Sequence, residues 1–215
     1  MLPILRPLLL LAVASLGSGC PAPPPPECRS RFAGDPEKPL EALLAVAEPT
    51  DGGARLVEVK DGDRVVLQPP PQGGFVLYAG ARVRNLDPCG ATIGGLLRDP
   101  KSGAVRSNTD RRSTDFELEG GSPYLVPRAL ATFSTVANVP ACPDDLGQGV
   151  AEQMLRLEVK VADRGGRETT VSRLVVPICP GGPCGDECRC ICGPGYFPGK
   201  CVPDGGGGAG GLCLR

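Results

Sequence analysis

Eleven cysteines constrain this chain more than any other feature of its sequence: Cys20, Cys28, Cys89, Cys142, Cys179, Cys184, Cys188, Cys190, Cys192, Cys201 and Cys213. An odd count in an exported protein leaves one cysteine to account for separately. The first twenty residues, MLPILRPLLLLAVASLGSGC, supply both the export signal and the odd cysteine. Arg6 is a short positive start, Pro7 to Leu16 is an apolar stretch too short to span a bilayer, and Gly17 to Gly19 are small residues at a cut. With Cys20 set aside, ten cysteines can close five disulfides, and an oxidising compartment makes disulfides the default over free thiols or metal.

Leu16-Gly17-Ser18-Gly19-Cys20 resembles the lipobox of Gram-negative bacterial lipoproteins, with the leucine four residues before Cys20 rather than three. The resemblance implies cleavage before Cys20 and a lipid on Cys20, so that the membrane is a partner through the N-terminal lipid. Pro21 is not the inner-membrane retention aspartate of enteric lipoproteins, so the implied location is the cell envelope, at the outer membrane. The alternative is an ordinary secretory cut near Ser18, leaving Cys20 as a thiol.

The organisation read from the sequence is a signal peptide over 1–19, a lipidated Cys20 with a Pro-rich tether over 20–39, a β-sandwich over 40–179, and a Cys- and Gly-rich tail over 180–215. Pro21 to Pro26, PAPPPP, is a stiff polyproline spacer of about 3 Å per residue. With 31 glycines and 25 prolines, the chain holds many turns and little long helix. Leu40 to Ala47 is too short and apolar to assign by periodicity, and its surroundings favour a strand.

From Arg55 onward the pattern is strand and turn. Leu56–Val59 and Arg64–Leu67 flank a turn at Lys60–Asp63. Phe75 to Arg84 alternates, with Phe75, Leu77, Ala79, Ala81 and Val83 toward a core and Val76, Tyr78, Gly80, Arg82 and Arg84 partly wet. Ala91–Leu97 and Ala104–Ser107 surround a loop at Asp99–Gly103, and Thr114–Glu119 alternates again. Pro127 breaks the next run, which favours a strand over Arg128–Val136. Leu155–Val161 and Thr169–Val176 form a hairpin about Asp163–Gly166. Seven or eight short strands at this spacing predict an all-β antiparallel sandwich, and the stretch resembles immunoglobulin-like domains of bacterial surface proteins.

After Pro180, thirty-five residues hold six cysteines and almost no aliphatics, so disulfides must hold whatever shape the tail has. Cys190-Ile191-Cys192-Gly193-Pro194-Gly195-Tyr196 with Cys201 looks like the C-terminal half of an EGF-like module. That resemblance implies a Cys192–Cys201 bridge; a generic disulfide knot is the other reading. Zinc on these closely spaced thiols is disfavoured by export and by the lack of a histidine co-ligand.

The chain contains no histidine, which removes Ser-His-Asp and Cys-His catalysis, imidazole metal sites and the commonest general base. No phosphate-cradling loop occurs, and no basic stripe points to nucleic acid. Asp61 with Asp63, Asp144 with Asp145 and Asp186 with Glu187 are the carboxylate pairs, all in Gly- or Pro-flanked turns where solvated acids are ordinary. Arg82 and Arg84 read as a solvated face rather than an anion site. The sequence therefore points to a non-enzymatic surface lipoprotein without cofactor or metal, presenting its sandwich for protein or glycan contact. The alternative is a structural envelope protein cross-linked through its tail. Immunoglobulin-like strand order places Cys142 and Cys179 at one end of the sandwich and Cys89 at the other. A strand of ten residues spans about 33 Å while disulfide Cα atoms approach within about 7 Å, so Cys142–Cys179 is favoured over Cys89–Cys142. Cys89 is then left for Cys28 or the tail.

Overall fold

The computed structural model describes residues 32–107, 110–143, 149–197 and 200–201. The signal, Cys20, the tether as far as residue 31 with Cys28 in it, Asp144, Asp145 and Cys213 lie outside them. Eleven strands fall among the described residues: β1 (Glu41–Thr50), β2 (Gly53–Glu58), β3 (Asp63–Val66), β4 (Phe75–Arg84), β5 (Ala91–Arg98), β6 (Asp110–Thr114), β7 (Phe116–Leu118), β8 (Leu125–Pro127), β9 (Ala137–Cys142), β10 (Leu155–Ala162) and β11 (Glu168–Ile178). They form two sheets. One runs β2-β1-β4-β8-β7, with β9 also on β4, and the other runs β3-β11-β10-β5-β6. All pairings are antiparallel except β3 with β11. The chain is thus the all-β, mainly antiparallel sandwich expected, with β1, β4 and β9 across from β3, β11, β10 and β5.

The core between the sheets is aliphatic, with two large rings. Phe75, Leu77, Ile93, Leu97, Phe116, Leu125, Leu155, Leu157, Val159 and Val175 are all fully or almost fully buried. Alternation along β10 places Leu155, Leu157, Val159 and Val161 inward and Arg156, Glu158 and Lys160 outward. The facing sheet is close at Gly95, where a Cβ would lie 2.7 Å from Val139 Cγ2 and 3.3 Å from Ala137 Cβ. Only a residue without a side chain fits there.

The outward face of β4 is part-exposed at Arg82 and Arg84 as its alternation suggests, but dry at Val76, Tyr78 and Gly80. Ala45, Ala47, Leu56, Val76, Tyr78, Val126 and Val136 form a second apolar cluster on the outside of that sheet, with Leu130 and Phe133 packed against it. The segment after β8 folds back over the sheet to make it, and Phe133 stacks on Tyr78 with ring centroids 4.2 Å apart. This also explains why Leu44 to Ala47 shows no polar face: the strand is buried on both sides.

Arg128–Val136 is consequently not a strand. It holds a 3-10 turn at Leu130–Thr132, with Ala129 at φ 57° and Phe133 at φ 54°, left-handed conformations incompatible with a ladder. The strands lie on either side, as β8 and β9. Ala104–Ser107 contributes one bridge, Val105 with Arg98, rather than a strand. Its Ser107 instead turns inward, and its hydroxyl accepts a hydrogen bond from Leu97 N at 2.9 Å.

The tail forms a helix, α1 (Pro183–Ile191), which disulfides alone do not hold. It has Pro at its first position, where no amide hydrogen is needed. Cys188, Ile191 and Cys192 join the main sandwich core, so the tail borrows the apolar interior it lacks.

Candidate contact surface

Three groups of residues were open to a chemical role, and the fold sorts them differently. The described carboxylates are engaged, but only Asp61 sits in a turn: Asp63 begins β3, and Asp186 with Glu187 lies in α1 rather than in the turn expected. Asp61 Oδ1 accepts a hydrogen bond from Leu174 N at 2.7 Å, and Asp63 Oδ2 accepts one from Lys60 N at 2.8 Å. Asp186 is ion-paired to Arg189 one helical turn away. Arg82 and Arg84 are likewise engaged rather than solvated. Arg82 donates to Glu119 through Nε at 2.9 Å and to Leu56 O at 3.0 Å. The hydrogen bond to Glu119 raises its pKa further, against the opposing effect of burial. Arg84 pairs with Glu41 and lies over the Tyr124 ring at 5.8 Å.

The cysteines build a covalent cluster at one end of the sandwich. Cys142 ends β9 opposite Phe75, the first residue of β4, and Cys179 follows the last residue of β11. Both lie at the end expected from the strand order, but they do not bond to each other. Cys142 bonds to Cys192, and Cys179 bonds to Cys188. The reason is α1, which inserts between them. Residues four apart share a helix face, so Cys188 and Cys192 both point into the core, 0% and 1% exposed. Their sulfurs are 3.6 Å apart.

The EGF-like pairing Cys192–Cys201 is also overturned: Cys201 bonds to Cys190. In an extended C-x-C segment both sulfurs share a side. On a helix Cys190 sits about 160° around from Cys192 and looks outward, toward Cys201. Cys89 and Cys184 are in disulfides as well. Cys89 lies at the far end beside the β10–β11 turn, where Arg164 donates to its carbonyl oxygen at 3.1 Å. The sulfurs of Cys179, Cys188 and Cys192 lie within 4.8 Å of one another, a spacing that suits a metal. Each is already in a disulfide, so none offers a thiolate.

The remaining surface is the outer face of the five-stranded sheet, which no segment covers among the described residues. It carries a groove of about 280 Å³ lined by Thr92, Gly94, Gly95, Leu96, Arg98, Arg111, Glu158, Lys160 and Thr170. Sequence reasoning missed it, although the Gly94-Gly95 pair inside an apolar strand was a signal. Register explains the groove. Gly94 stands opposite Arg111 on one side and Lys160 on the other, and Lys160 stands opposite Thr170. Residues directly opposite share a face, so this row has long side chains at either side of a glycine.

The molecule these features define is a two-layer β-sandwich, with one outer face covered by its own chain, the other uncovered among the described residues, and a helix bound covalently at one end. Compared with known protein families and curated protein sequences, the chain matches none.

Proposed function

We propose that this chain is a non-enzymatic, membrane-anchored surface lipoprotein that holds its sandwich off the bilayer and uses the open sheet face for contact with a partner. The anchor in this reading is the lipid on Cys20, and the spacer is PAPPPP. The observation that carries the contact reading is the asymmetry of the two faces. The chain folds a segment over the outer side of the β1–β4 sheet, with Phe133 on Tyr78, and leaves the outer side of the β10–β5 sheet bare around a groove. The cross-linked structural reading is less favoured, because eight cysteines are consumed in disulfides of this single chain.

The test is detergent phase partition of the natively expressed protein. Wild type is expected in the detergent phase of Triton X-114 with acyl chains on Cys20 by mass spectrometry. Cys20→Ser is expected to remain in the aqueous phase. A wild-type chain with an unmodified Cys20, or one recovered from the soluble fraction, refutes the anchoring.

A further inference from the structure

The groove on the open face has a definite charge. Arg98, Arg111 and Lys160 line it, and among the described residues Glu158 is its one carboxylate. Glu158 is taken by Arg98, whose Nε donates to it at 3.0 Å. Lys160 is held by Glu168 at 2.7 Å, but both side chains are half exposed, 50% and 57%. Such a pair contributes little and exchanges readily for another carboxylate. Among the described residues, Arg111 has no carboxylate within pairing distance, and its guanidinium donates only to the Thr92 hydroxyl, at 3.1 Å. The chain as a whole carries a net charge of −1, so the cationic balance of this face is local.

Two features here oppose sheet stability. Arg156 stands directly opposite Arg98 on the neighbouring strand, and like charges so placed repel. Gly94 interrupts the middle of β5, where a β-branched residue would strengthen the strand. Local rules broken together on one exposed face mark a site whose compensation comes from outside the chain. The floor beside the cations is Leu96, with Thr92 and Thr170 hydroxyls nearby. Among the described residues no aromatic ring lines the groove, so none of them offers a sugar ring a face to stack on.

We infer that the open face binds an extended acidic segment of a partner polypeptide. A Glu or Asp carboxylate of the segment sits over Gly94 between Arg111 and Lys160, and an aliphatic side chain rests on Leu96. This rests on the contact reading above and gives it a ligand chemistry. Arg111 and Lys160 are two strand spacings apart, about 10 Å between backbones. Their flexible stems can close that gap from both sides onto one carboxylate, in charge-assisted hydrogen bonds. Gly94 puts no side chain of its own between the two cations.

The test uses the mature chain and three probes: a fluorescein-labelled octapeptide alternating Glu and Leu, its Gln–Leu counterpart, and a labelled oligogalacturonate. Anisotropy should show saturable binding of the Glu–Leu peptide alone, weakening as sodium chloride rises from 25 to 300 mM. Arg111→Glu/Lys160→Glu should weaken it at least tenfold. Gly94→Val, which changes no charge, should weaken it comparably, with both variants retaining the wild-type circular dichroism spectrum. The inference is overturned if the Glu–Leu peptide does not bind, if its binding is indifferent to both variants, or if only the oligogalacturonate binds. Triton partition reads the anchoring independently. An adduct formed in cells from a photoreactive residue at Thr170, with no acidic peptide binding, would leave the contact reading standing and refute this one.

Discussion

Of the two neighbouring bridges at the α1 end, Cys142–Cys192 restrains the sandwich more than Cys179–Cys188 does. The two bridges are neighbours, with sulfurs of Cys188 and Cys192 3.6 Å apart; Cys142, Cys188 and Cys192 are buried and Cys179 is partly buried. The bridges differ in what they close. Cys142 and Cys192 are separated by 50 residues and Cys179 and Cys188 by 9. The chain-entropy relation gives about 4 kcal/mol for the longer loop and about 2.5 kcal/mol for the shorter. Leaving Cys179–Cys188 intact shortens the longer loop to roughly forty residues, which hardly alters the first figure because the dependence is logarithmic. Urea unfolding of oxidised C142A/C192A and C179A/C188A, with intact mass confirming the remaining bridges, measures both. The first variant should lose about 1.5 kcal/mol more than the second. Equal losses, a reversed order, or a loss under about 1 kcal/mol for C142A/C192A would refute the reasoning.

Other outcomes follow from single contacts. Asn85, at φ 62° and 3% exposed, accepts from Asp35 N at 2.8 Å and donates to Pro39 O at 2.8 Å, tying the entering chain to the end of β4; Asn85→Ala should cost about 2–4 kcal/mol in urea unfolding. Gly95→Ala forces a Cβ onto Val139 and should cost about 1–3 kcal/mol, of which Val139→Ala in the same chain should recover a measurable part in a double-mutant cycle. Burial raises the Tyr78 phenol above its ordinary 10.0, with Arg112 opposing the shift. A group whose folded pKa is raised contributes fully below its unfolded pKa and loses that contribution as pH rises through the folded value. Between pH 8 and 10.5, wild type should therefore lose more stability than Tyr78→Phe; equal losses would mean that Tyr78 is not buried under Phe133.

The sandwich was legible because its strands alternate or run apolar between strong turn signals. Leu155–Val161 and its returning partner have one dry and one wet side, and period-two spacing places them. The same rule misleads at Val76 and Tyr78, since alternation cannot show that a distant segment returns to cover the polar-looking side. Arg128–Val136 was misplaced for a related reason: its apolar residues serve as a lid, and Ala129 and Phe133 adopt left-handed conformations that their residue types do not advertise. The cysteine pairing failed at one point. Which sulfurs meet depends on whether Cys184 to Cys192 is helical or extended, and nine residues with four cysteines carry too little apolar periodicity to show it. The contact groove was hidden because it arises from register: Arg111, Gly94 and Lys160 are far apart in the chain and adjacent only across three strands.

The asymmetry of the two sheet faces is tested most directly by photocrosslinking in intact cells. A photoreactive residue is placed at Thr170, on the bare face, and separately at Ala131, in the 3-10 turn of the covering segment. The account predicts an irradiation-dependent adduct of raised mass from Thr170 and none from Ala131, lost at Thr170 when Arg111→Glu/Lys160→Glu is combined with it. Adducts of equal yield from both positions, or from Ala131 alone, would contradict it.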